Sequence, residues 1–467
     1  MNLVWFRNDL RVRDNPALYQ ACESGRGVVA VCVLTPGQWQ AHDDAPAKMQ
    51  FWYAHLQSLQ AELSALNIPL RLLQADDYTA IPELLVNLAT ELQSDRLYLN
   101  HEYAFNERQR DLAVLERLRR TGRKVVGFHA DLIIPPGEVL TGQGQPFKVF
   151  TPFSRAWRKV CQMQQPQPLG LPRRQPANSL TSTDLAEQLE YGGTLSSRWR
   201  QQLWPAGSDV AHERLQAFVD AQLHGYPQQR DIPSLPGTSQ LSPYLTVGAI
   251  SARQCLAGLS AYADDPDWFN SQWLTELIWR EFYRHLLVQF PRMNYLHPFR
   301  PEVETRISWH HDPGLFDAWC AGETGFPLVD AGMKQLLDTG WMHNRLRMVC
   351  ASFLTKLLRQ DWRKGAQFFM QHLIDGDFAS NMGGWQWCAS VGADAAPYFR
   401  IFNPQRQAER FDPEGRFVSH WLPELQGLPA KKRHDPAAAA EAGRPRPVID
   451  YRAARQQSLD DYQQSQT

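Results

Sequence analysis

At 467 residues the chain has room for two or three domains, each able to bury its own core. A formal net charge of -1 excludes a general attraction to nucleic acid or acidic lipid, so any polyanion site must be a local patch. Seven scattered cysteines with no C-x-x-C pair argue against a zinc knuckle or a disulfide frame and for a reducing compartment. The opening "MNLVWFRNDLRVRDN" is charged where a secretory leader would be apolar, and no window is long and apolar enough to span a membrane. A cytoplasmic protein without membrane contact is expected.

In chain order, "LVWF" (3–6), "VVAVCVL" (28–34), "LRLL" (70–73), "RLYLN" (96–100) and "KVVGF" (124–128) read as buried strands. Between them, "AKMQFWYAHLQSLQAELSAL" and "NERQRDLAVLERLRR" have apolar residues at helical spacing. This alternation predicts an α/β domain over 1–131 with a doubly wound parallel sheet. A G-x-G-x-x-G fingerprint is missing, since "TGQGQP" has two glycines and follows no strand. Residues 132–207 form the connecting segment, much of it rich in Gln, Pro and Ser. From 208 to 425 the periodicity is helical and an all-α domain is expected. The last stretch, 426–467, with "AAAAEAGRPRP" and "DYQQSQT", reads as a weakly ordered tail.

Four stretches could carry chemistry. In "GYPQQRDIPSLPGTSQLSPYL" the run Gly237-Thr238-Ser239 supplies bare backbone and hydroxyls. Ser242-Pro243 there has the character of a helix cap and first turn, which suits phosphate or simply caps a helix. In "WLTELIWREFYRHLL" helical spacing stacks Glu276, Arg280 and Arg284 beside Trp279 and Tyr283. That face is either an ion-pair ladder beside core aromatics or a surface for phosphates and a stacked base. In "WMHNRLRMVCASF", Asn344, Arg347 and Met348 share one helical side and Arg345 is offset. One arginine can then meet a buried acid while the other faces an outside anion. "DGDFASNMGGWQWC" (375–388) supplies that acid in Asp375 or Asp377, either of which could instead cap a helix. No histidine or third carboxylate stands at ligand spacing, so no metal is expected. Asn381 with Gly383-Gly384 would let main chain approach a flat ligand, with Trp385 against or behind it. Of 16 tryptophans, ten lie from Trp268 onward, most of them ordinary core for a helical domain.

"GTSQLSPYL", "ELIWREFYRHLL", "TGWMHNRLRM", "DGDFASNMGGWQW" and "APYFRIFNP" stand in this order. Together they resemble the photolyase/cryptochrome family, and more closely the class I cyclobutane pyrimidine dimer (CPD) photolyases of bacteria. The likeness runs from "LVWFRNDLR" to about "WLPEL" near 425. It implies an antenna domain at the N-terminus and a helical catalytic domain holding FAD in a U shape. Carried over by motif, Tyr226, Thr238, Ser239, Gln240, Leu241 and Ser242 would hold the FAD phosphates. Arg347 and Asp375 would pair beside the isoalloxazine, Gly376 and Asp377 would meet the ring, and Asn381 would face flavin N5. Arg230, Glu276, Trp279, Arg280, Tyr283, Asn344, Arg345 and Trp387 would meet UV-damaged DNA, with Met348 at the dimer. Trp385, Trp362 and Trp309 resemble the family's electron-transfer chain. The implied reaction is a light-driven carbon–carbon lyase step, in which an electron from excited FADH⁻ opens the cyclobutane ring and then returns. Photolyases are among the enzymes known to take their target base out of the duplex.

His42 in "WQAHDDAP" and Asn106-Glu107 in "FNERQRD" resemble residues that hold 5,10-methenyltetrahydrofolate in folate-type members. "RMNYLHPF" has Asn294 and Tyr295 where such members can carry a lysine nearby, so 8-hydroxy-5-deazaflavin, or no second chromophore, stays open. Gln240 departs from a position often basic in relatives. The rival reading is a cryptochrome, a photoreceptor without repair activity. Asn381, Glu276, Trp279 and Met348 favour repair, and Met348 stands where a (6-4) photolyase would need a histidine pair. A dark flavin oxidoreductase would need a nicotinamide or substrate site that the sequence does not offer. A monomer with no obligate protein partner is expected.

Overall fold

The structure is a computed structural model that describes residues 1–185, 199–262 and 267–463. The chain divides into two compact units, Met1–Leu223 with Ser239–Pro291, and His224–Thr238 with the chain from Arg292 onward.

In the first unit, β1 (Asn2–Trp5), β2 (Val28–Leu34), β3 (Leu70–Gln74), β4 (Arg96–Asn100) and β5 (Lys124–Phe128) form one parallel sheet of order β3-β2-β1-β4-β5. The five runs read as strands from sequence are these five, within a residue or two. β1 and β2 are buried along their whole length, as a strand covered on both faces must be. Helices return the chain after each strand, and the winding reverses beside β1, where β4 pairs with it in parallel. The segment running up to the undescribed residues 186–198 closes the outer edge of the sheet. Thr183 N donates to Leu70 O (2.8 Å), while Leu70 N and Leu72 N donate to the hydroxyls of Ser182 and Thr183. An edge strand left open would be a template for aggregation.

The helix Gln272–Gln289, capped by Ser271, is the buried beam of this unit. Glu281 is fully buried and accepts from Ile133 N, Ile134 N (3.2 Å) and Trp157 Nε1 (2.5 Å). Three donors explain how a carboxyl survives there, although burial still pushes its pKa up to about 7. On the other side of Ile134, its carbonyl is within 3.0 Å of His285 Nε2.

The second unit is helical, with Trp319, Trp362 and Trp385 in its core. The expectation of a weakly ordered tail does not hold. Helices Ala430–Arg433, Pro436–Glu441 and Tyr451–Gln463 occupy it. Ala454, Ser458 and Tyr462, four apart, are buried, and Tyr462 donates to Ala389 O at 2.9 Å. The alanine run that looked like low complexity is a good helix former with a buried side at Ala438 and Ala439. Among the described residues no helix is long and apolar enough to cross a membrane.

Candidate functional site

The sequence-predicted residues fall into three clusters, two in the first unit and one in the second.

Beyond the carboxyl ends of β2 and β4, His42, Asn106 and Glu107 come together, where open α/β sheets bind ligands. The amides of Gln38 (2.8 Å) and Asn106 (2.9 Å) both approach His42 Nε2. That nitrogen therefore accepts, and the proton sits on Nδ1, 3.6 Å from Glu107 Oε1. Burial raises the Glu107 pKa, while His42 pulls it the other way. Tyr78, absent from the sequence reading, donates to Glu107 (3.1 Å) and packs edge-on against His42.

On helix Gln272–Gln289 the spacing left a ladder or a recognition face open, and Asp131 takes the arginines of the ladder. Arg280 and Arg284 both bind Asp131, the latter at 2.6 Å, while Glu276 accepts from Gln272 (2.9 Å). Burial would raise the Asp131 carboxyl, but the two guanidiniums outweigh it and hold it well below the usual range. Trp279 lies stacked on Phe150, ring centroids 3.6 Å apart and planes 6° apart, with Tyr283 tilted beside it. One face of the indole is thus backed by protein, and a base would take the other. Ser239 accepts from Trp273 (3.3 Å) and Gln240 from Arg214 (3.2 Å). Gln240 has φ +50°, a left-handed turn residue. Ser242 is not the cap expected of it. The helix Ser242–Val247 begins there with Leu241 at the cap position, and no side chain bonds its first amides.

In the second unit, Arg347 Nη2 meets both oxygens of Asp375, at 2.7 and 3.0 Å, and its Nε holds Met342 O. Asp375 and Asp377 divide the two roles left open by sequence: Asp375 takes the arginine, and Asp377 caps helix Phe378–Cys388 through Ser380 N at 2.8 Å. Arg345 is not left to an outside anion alone. It pairs with Asp231 (2.9 Å), which also stands 3.9 Å from Arg230, and its guanidinium lies over the Phe411 ring. Asp231 was legible only as the neighbour of Arg230. Tyr226 is buried under the Arg230 guanidinium. Asn344 points its amide at the sulfur of Met348 (3.9 Å).

Asn381 Nδ2 donates to Ala366 O (2.9 Å), which fixes the amide, and its Oδ1 has no protein partner among the described residues. An amide held this way offers an acceptor to an N–H donor, as N5 of a reduced flavin would be. A Cβ at Gly384 would meet nothing within 4 Å, whereas one at Gly365 would stand 2.2 Å from Trp385. Gly365 therefore lets the indole of Trp385 seat against helix Trp362–His372. The donor set and the open backbone fit FAD.

Trp385 packs edge-on against Phe369 (5.0 Å) and Trp319 (6.0 Å). Trp362 is buried and donates to Glu304 (2.8 Å). Trp309 is half-buried, and Trp387 packs at the edge of the same core. Among the described residues no group of three metal-ligating side chains occurs.

A doubly wound sheet followed by a helical flavin-type site defines a two-part chain of photolyase type. Residues 2–173 match the family model for DNA photolyase, and residues 273–464 match that for the FAD binding domain of DNA photolyase. The deoxyribodipyrimidine photo-lyase of Salmonella typhimurium is 43% identical, over 99% of this chain and 98% of its own length. That of Escherichia coli is 42% identical over the same shares. Among solved structures, a bacterial class III photolyase from Agrobacterium tumefaciens matches with a TM-score of 0.89 at 35% identity, over 100% of this chain and 97% of that one. A Synechocystis cryptochrome matches with a TM-score of 0.81 at 27% identity, over 98% of each chain. The chain belongs to the DNA photolyase family.

Proposed function

We propose that this chain is a light-driven DNA repair enzyme, a deoxyribodipyrimidine photo-lyase that splits cyclobutane pyrimidine dimers. The observation that carries the proposal is the full-length likeness to relatives of that name, 43% and 42% identical over 99% of the chain. Bound FAD, fully reduced and excited by light, supplies the electron that opens the cyclobutane ring.

The protein's share is positioning and electrostatics. The Arg347–Asp375 ion pair would stand beside the flavin ring and set the charge at its edge. Asp377 meets the ring from the start of its helix, beside Gly376, and Asn381 offers its carbonyl to N5. Tyr226 and the stretch Thr238 to Ser242 take the FAD phosphates. Arg230 and Arg345, oriented by Asp231, and Arg280, oriented by Asp131, meet the DNA backbone. Asn344, Met348, Tyr283 and Trp387 face the lesion, where Glu276 hydrogen-bonds the dimer. Residues 1–131 act as the antenna domain and 208–425 as the catalytic domain. The His42–Asn106–Glu107 cluster supports 5,10-methenyltetrahydrofolate as the antenna. The protein works in the cytoplasm as a monomer.

With Phe150 behind it, Trp279 should take a base of the dimer on its open face. Trp279→Ala is then expected to weaken binding of dimer-containing DNA by roughly 1–3 kcal/mol. Unchanged affinity would end that role. Trp309→Phe is expected to slow photoreduction of oxidised FAD while sparing repair by enzyme reduced beforehand. Normal photoreduction would remove Trp309 from the electron path.

The proposal is tested in cells lacking photoreactivation. After UV exposure, the chain should raise survival in blue light and leave it unchanged in the dark. Equal survival in light and dark would favour the cryptochrome reading, to which the match with the Synechocystis protein gives a place.

A further inference from the structure

Between helices Pro404–Phe411 and Tyr451–Gln463 lies a cleft of about 570 Å³, lined by none of the residues assigned above to the flavin or the lesion. Its walls include Phe402, Asn403, Arg406, Tyr451, Arg452 and Arg455, and no carboxylate lines it. Arg345, Arg347, Arg363 and Arg444 of the same unit each hold an acid. By contrast, none of the three cleft arginines has an acidic partner among the described residues. The nearest acid in sequence, Asp450, is engaged at the start of the last helix, accepting from Ala453 N at 2.8 Å.

The cleft is also built. Asn403 caps helix Pro404–Phe411 by accepting from Arg406 N (3.1 Å), and it lines the cleft opposite Tyr451. The guanidiniums thus belong to two helices that share the cleft. Three uncompensated arginines beside two aromatic rings suit a phosphate ester, which they can bind through paired N–H donors.

The position says which phosphate. At the far end of helix Pro404–Phe411, the Phe411 ring lies 4.3 Å under the Arg345 guanidinium. From Arg406 to Phe411 the helix rises about 8 Å, roughly two nucleotide steps along one strand. We propose that this cleft is a phosphodiester subsite, holding the DNA backbone about two nucleotides beyond the phosphate that Arg345 meets. The inference rests on the repair function proposed above.

The test uses the full chain, its Arg452→Gln/Arg455→Gln variant and the charge-keeping Arg452→Lys/Arg455→Lys variant. Binding to a duplex oligonucleotide, with and without one thymine dimer, is measured over a range of salt. The Gln variant should lower the slope of log K against log salt by about 2, weaken damaged and undamaged DNA by the same factor, and leave the Lys variant close to wild type. An unchanged slope in the Gln variant overturns the subsite. If that variant loses binding of ADP while its DNA slope stays the same, the cleft is a nucleotide site and the proposal fails. A wild-type chain that repairs no dimer, while the slope still drops, overturns the repair reading and leaves the subsite standing.

Discussion

Replacing Arg347 by alanine is expected to cost the helical unit about 3 kcal/mol and its flavin as well. The Asp375 side chain is only 2% exposed, and the arginine that meets both its oxygens is 25% exposed. Without that partner the carboxylate is left charged and buried, the configuration that makes half of an ion pair worse than none. The partly open arginine puts the cost at the lower end of the range for buried pairs. Arg347→Met combined with Asp375→Asn separates the two consequences. Removing both charges should restore most of the stability, read as the midpoint of urea unfolding, but not the FAD content, read from the absorbance ratio of flavin to protein. A double variant that keeps its flavin would show that the pair only holds helices together.

Acid should be the second large effect. Burial pushes His55, His285 and His343 down to about 4. His343 is tied to the fold in its neutral form, since its Nδ1 accepts from Arg345 N at the start of helix Asn344–Ser352, while for His55 and His285 burial outweighs their bonds to the carbonyls of Phe51 and Ile134. In the unfolded chain a histidine takes its proton near 6.5. Between about pH 6.5 and 4 the unfolded state therefore binds more protons, and stability falls as the pH falls. Two and a half units are worth about 3 kcal/mol per histidine. Glu281 works against this. With its carboxyl pushed up to about 7, the fold holds a proton that the unfolded chain releases near 4.5, so acidification over that span favours the fold by a similar amount. Among these four groups two histidines' worth remains, on the order of 6 kcal/mol. Urea midpoints should drop steeply between pH 6.5 and 4, and His285→Gln should flatten the drop by about half. An equally steep drop in that variant would remove His285 from the account.

How much of this was legible in the sequence follows from the range of each interaction. The five strands were readable because each is a short apolar run closed by polar or turn residues, a signal carried within one window. The roles of Arg347 and Asp375 could be framed, because a helix fixes which side chains share a side and the stretch from 375 to 388 offered an acid to one of the arginines. Asp131 could not be found. It lies 149 residues before Arg280, and nothing local marks it as the anchor of two arginines. For Glu276, Arg280 and Arg284 spacing left a ladder and a recognition face open, and tertiary contact with Asp131 took the two arginines away from the ladder. The tail after 425 was misread through composition, since the alanines and glutamines that suggest disorder also make helices once a stripe such as Ala454, Ser458 and Tyr462 finds a core to cover.

The central claim is that this chain repairs DNA with light, and one measurement bears on it most directly. Purified protein with bound, chemically reduced FAD is mixed with an oligonucleotide carrying a single thymine cyclobutane dimer and illuminated with blue or near-UV light. Intact thymines should return only under illumination, and at a much lower rate in the Asn381→Asp variant. A protein that binds FAD and photoreduces it, yet leaves the dimer untouched in the light, would contradict the claim.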